Sequence, residues 1–92
     1  MFGNSIVEKL NKVIQKELPD KEIVQIVDYK DKGLYVVCAV PKKLVSDKNE
    51  WVNHFYSFDR KTLKYLGAFT SMVNDINTYF DVPGVKVLYR RL

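Results

Sequence analysis

The sequence holds one cysteine, one histidine and four isolated glycines among its 92 residues, and each scarcity removes a class of chemistry. With Cys38 alone, no intramolecular disulfide forms, so the chain lacks the staple of small secreted scaffolds. One cysteine and His54 cannot supply the tetrahedral N/S ligation of a zinc site. Gly3, Gly33, Gly67 and Gly84 stand far apart, whereas a phosphate-binding loop needs closely placed glycines before a helix. Asp47-Lys48-Asn49 opens like a calcium loop, but Trp51 stands at the third oxygen-ligand position and Val52 at the required glycine. No catalytic, cofactor-binding or metal-ligating residue is therefore assigned.

Long apolar runs are missing too. Nothing approaches the roughly 18 residues of a membrane span, and the first residues lack the basic and apolar regions of a signal peptide. The expectation is a soluble cytoplasmic protein with no membrane partner. Composition is ordinary for a globular chain, 47% hydrophobic and 28% charged, and the length suits a single domain over 1–92. The net charge is +4. Its excess falls late, in Lys86, Arg90 and Arg91, which permits an anionic partner without requiring one.

Within this frame the patterning is clear. Ser5-Ile6-Val7-Glu8 has the form of a capping box. Ile6, Leu10, Val13, Ile14 and Leu18 then share one helical face, with Pro19 as the stop. Residues 23–29 read as a β-branched strand, and Lys30-Asp31-Lys32-Gly33 as a hairpin loop closed by a left-handed glycine. Residues 34–40 are apolar on both faces, as in a central covered strand. Residues 41–50 form a polar connection. Residues 51–58 alternate as a strand, followed by a turn in which Asp59 bonds backbone amides, and a return strand over 63–66 broken by Gly67. Phe69, Met72, Val73, Ile76, Tyr79 and Phe80 have the spacing of a second amphipathic helix. Residues 85–92 follow as an edge strand. The expected class is α+β in the order α-β-β-β-β-α-β, an antiparallel sheet covered by two amphipathic helices.

Against this scaffold, candidate chemistry is thin. Cys38 lies mid-strand in the most apolar run, where free cysteine behaves as a small core hydrophobe. His54 has no carboxylate spaced to orient it as a base. What remains is binding. Leu44, Val45 and Trp51 around the polar connection, with Val85 and Val87 on the edge strand, are the candidate contacts for another protein or a second copy. The alternative is nucleic-acid binding through Lys42, Lys43, Lys86, Arg90 and Arg91.

Two partial resemblances accompany that reading. A helix, three strands and a helix resemble the element order of double-stranded RNA-binding domains. Those domains carry a basic cluster at the start of their last helix, where this chain has Thr70-Ser71-Met72-Val73-Asn74-Asp75. The hairpin from Phe55 to Lys64 is similar to aromatic hairpins of small bacterial and phage proteins, including PepSY-like and toxin-immunity domains. Leu63 stands where such turns often have glycine. This resemblance implies a small α+β protein and carries over no functional residue. The expected function is a small non-enzymatic protein-interaction domain, part of a bacterial or phage/mobile-element assembly.

Overall fold

The helical periodicity of the N-terminal segment is realised in the computed structural model as α1, Ser5–Glu17. The structure describes residues 5–68, with the backbone alone at Val52, and residues 85–91. Val7, Leu10 and Ile14 are the buried stripe of α1, and burying each stabilises by roughly 1.5–3 kcal/mol. Five strands follow: β1 (Lys21–Tyr29), β2 (Leu34–Pro41), β3 (Phe55–Asp59), β4 (Tyr65–Ala68) and β5 (Val85–Arg90). They form one antiparallel sheet in the order β4-β3-β2-β1-β5. The apolar run 34–40 occupies its central strand, and β5 is an outer one.

Strand alternation divides the core in two. On the α1 side, Val7, Leu10 and Ile14 pack against Ile23, Ile26, Tyr35, Val37, Ala39 and Phe58. The opposite side gathers Val24, Val27, Val36, Cys38, Val40, Trp51 and Phe55. A bulge between Ile23 and Gln25 interrupts the β1–β2 register, so Ile23 faces Ala39 while Gln25 faces Cys38. The extra residue places Val24 and Gln25 on the same side of the sheet. Gln25 is thereby driven into the second core, 0% exposed, and neither amide atom has a hydrogen-bond partner.

Several expectations change. The second helix expected over residues 69–80 lies outside the described residues. Two-helix cover and the full α-β-β-β-β-α-β order are accordingly not carried forward; α1 and the five-stranded sheet are what the α+β class rests on. The strand expected over 51–58 begins only at Phe55, because Lys48–Asn53 form a 3-10 helix, after a shorter one at Lys42–Leu44. The return strand starts at Tyr65 rather than Leu63. Leu63 adopts φ 62° and donates its amide to the Asp59 carbonyl at 2.8 Å, which extends the turn. Gly67 lies within β4 at φ 116°, opposite Ser57, and does not break the strand.

Other local expectations hold. Gly33 is left-handed at φ 67° and ends the β1–β2 loop. The Asp59 carboxylate accepts the amides of Lys61 and Thr62 at 2.8 and 2.9 Å.

Candidate functional site

Because β1 to β4 form a meander, the β1–β2 loop and the β3–β4 turn lie at the same end of the sheet, and β5 runs beside β1. Three surfaces arise from this arrangement.

The first is β5 itself. It pairs with β1 from Gln25↔Arg90 to Tyr29↔Val85, with an irregularity that leaves Leu88 without a counterpart. Leu88 and Tyr89 lean on the α1-side core, and Val85 packs on the opposite one. Val87 is 40% exposed, beside exposed Lys86 and Arg90. No described strand pairs with the outer side of β5. The other edge, β4, is shorter, and its pairing with β3 is irregular between Ser57 and Phe58.

The second surface is the segment 42–53, which lies on the Cys38 face. Trp51 is 2% exposed, and its indole N–H is shared between the Leu44 and Val45 carbonyls at 3.2 Å each. Leu44 and Val45 are half-buried against the same core. Trp51 is thus the anchor that folds the connection back onto the sheet. Burial leaves it no surface to offer a partner, and the two aliphatic residues are largely spent on the same packing. The Lys48 ammonium stands 5.9 Å from the Trp51 ring centre, within cation–π range.

The third surface is charge. The five cations considered for nucleic-acid binding are split between the two ends of the sheet. Lys42 and Arg91 share a cleft of about 440 Å³ with Lys21, Glu22 and Tyr89. The Arg91 guanidinium is bound to the Glu22 carboxylate there at 2.7 Å. Lys86 lies near the other end of β5, opposite Asp28. At that end a separate cleft of about 510 Å³ is lined by Lys30, Lys32, Gly33, Asp59, Arg60 and Lys61. Sequence reading missed this cluster, since its cations come from two loops that are distant in the chain. The signal available was the meander, which sets alternate loops at one end.

Titratable groups follow their surroundings. Burial pushes the Cys38 thiol up to about 12, the reverse of what a nucleophile needs. Partial burial and the Lys21 charge lower His54, with Glu50 opposing them. Backbone amides of Thr62 and Lys61 hold the Asp59 carboxyl below its usual range. The Asp28 carboxylate raises Arg60, through hydrogen bonds first and charge second. Among the described residues no three His, Cys, Asp or Glu side chains are grouped to hold a metal ion. No described helix is long and apolar enough to cross a membrane.

Comparison with protein-family models, curated proteins and solved structures gives no match to this chain.

Proposed function

We propose that the chain is a non-enzymatic protein-interaction module whose strand β5 takes up an extended, acidic segment of another protein. The observation that carries this reading is the character of that edge. β5 is hydrogen-bonded to β1, and no described strand follows it. Exposed Val87 is flanked by cations, with no carboxylate in Val85–Arg90. An added strand gains main-chain hydrogen bonds from such an edge, while side chains across the new pair set its specificity. Carboxylates opposite Lys86 and Arg90 are favourable cross-strand neighbours. A second copy of β5 would instead bring Lys86, Arg90 and Arg91 against the same cations, which disfavours self-pairing. The high thiol pKa of Cys38 supports the non-enzymatic part.

The test uses an extended peptide of alternating glutamate and valine as probe, with amide NMR of the whole chain as readout. Shifts and slowed exchange confined to β5, weakened by Lys86→Glu, are the expected result. Absence of any β5 response overturns the reading. Concentration-dependent dimerisation through β5 in sedimentation replaces the acidic partner with a second copy.

A further inference from the structure

Apart from β5, the cleft between the β1–β2 loop and the β3–β4 turn carries its own ligand chemistry. Two hairpin ends form it, and both are fixed by hydrogen bonds. The Arg60 amide donates to the Gly33 carbonyl at 3.0 Å, tying one loop to the other. The Arg60 guanidinium grips both oxygens of Asp28 at 2.9 and 3.2 Å and lies 5.8 Å from the centre of the Tyr35 ring. Asp59 spends its carboxylate on the Lys61 and Thr62 amides. Asp59, the acid that lines the cleft, and Asp28 beneath Arg60 are therefore already engaged, while Asp31, between Lys30 and Lys32, is exposed and does not line it. Lys30, Lys32 and Lys61, all exposed, make no salt bridge among the described residues. Three ammonium groups without a salt bridge among the described residues thus border one concavity whose backbone is held in advance of any ligand, Lys61 also lending its charge to Asp59.

From this geometry we infer that the hairpin-end cleft is a binding site for the phosphodiester backbone of a nucleic acid. Ligand class follows from which cations are free. Planar, bidentate recognition of a carboxylate is the work of arginine, and Arg60 is occupied by Asp28. The free cations are lysines, point charges that suit phosphate oxygens and discriminate little between base sequences. The cleft opens to solvent, which leaves its lysines accessible to a polymer. No exposed aromatic side chain lines it, which points to backbone contact rather than base stacking. This set is distinct from Lys42, Lys43, Arg90 and Arg91.

The experiment is fluorescence anisotropy of a labelled single-stranded oligonucleotide against the whole chain, titrated across about 50–200 mM salt. Expected is binding that weakens with salt, together with a fall of about 2 in the log–log slope for Lys30→Ala/Lys32→Ala/Lys61→Ala, at about 0.7 for each phosphate that is no longer neutralised. Lys42→Ala/Lys43→Ala retains the slope. The substituted lysines are exposed, and unchanged thermal unfolding of the triple variant verifies its fold. No salt-dependent binding at low ionic strength overturns the inference, as does a triple variant that binds like the parent. Equal displacement by inorganic phosphate reassigns the cleft to a small free anion, and equal displacement by polyglutamate removes the phosphate preference; either result overturns the assignment.

Discussion

The Cys38 thiol donates a hydrogen bond to the carbonyl oxygen of Trp51 at 3.1 Å, joining the central strand to the segment folded over it. One end of that segment is held by the thiol contact. Its other end is held by the indole N–H on the Leu44 and Val45 carbonyls. A side chain that sequence alone marks as core filler is therefore also a polar tether.

Cys38 gives a pH dependence with a defined sign. Its thiol ionises at 9.0 unperturbed and at about 12 in the folded chain. The folded state retains its proton while the unfolded state loses it, so this contribution is complete below pH 9 and declines as pH rises toward 12. Denaturant midpoints of the parent should fall above pH 9 more steeply than those of Cys38→Ala. Alkylation at neutral pH should track global unfolding, and rapid modification of the folded chain would contradict the buried placement.

Trp51→Phe keeps most of the ring volume and removes the indole N–H. The loss should be about 1 kcal/mol, the net worth of a hydrogen bond. Trp51→Ala also opens a cavity and should cost about 3–5 kcal/mol. Equilibrium urea unfolding followed by far-ultraviolet circular dichroism measures both. Unchanged stability of Trp51→Phe would show that the tether contributes nothing.

Gln25 presents the opposite case, a buried amide whose two polar atoms lack partners. Gln25→Met has similar length and no polar group to desolvate. It should stabilise the chain by about 1–3 kcal/mol, the penalty attached to an unsatisfied buried group. A lower denaturation midpoint for this variant would reveal a compensating interaction of the amide.

Leu63 holds φ 62°, a conformation that costs a residue with a Cβ roughly 1–2 kcal/mol. Leu63→Gly and Leu63→Ala both lose the side chain's packing on the α1-side core, but only glycine escapes the strain. The glycine variant should therefore be the more stable by about 1 kcal/mol, reversing the usual order of the two residues. Thermal unfolding of the pair decides it.

Much of the scaffold was legible because its signals are local. Leu10 and Ile14 repeat at helical spacing, Gly33 closes a short loop, and Asp59 turns onto the amides ahead of it. The run 34–40 could be placed at the centre because both of its faces are apolar. Trp51 misled for a physical reason: its alternation with Phe55 copies a strand, while the 3-10 helix around it is held by a hydrogen bond to residues earlier in the chain. Leu63 gave no glycine to flag its left-handed turn. Gln25 is a polar residue in a strand buried on both faces, and the bulge decides which of the two cores receives it. The cations of the hairpin-end cleft needed the sheet order before they could be seen as neighbours.

The strand order also bears on how the fold is reached. β2, β3 and β4 each pair with the strand before them, whereas β5 returns to β1 across the longest sequence separation in the sheet. Loop closure makes such a pairing slow to form and leaves little support if it opens. β5 should dock last and detach first, so its amides should exchange hydrogen sooner than those of β2. An edge that lets go before the rest of the sheet gives an incoming strand two routes: it can add beside β5, or compete with it for β1.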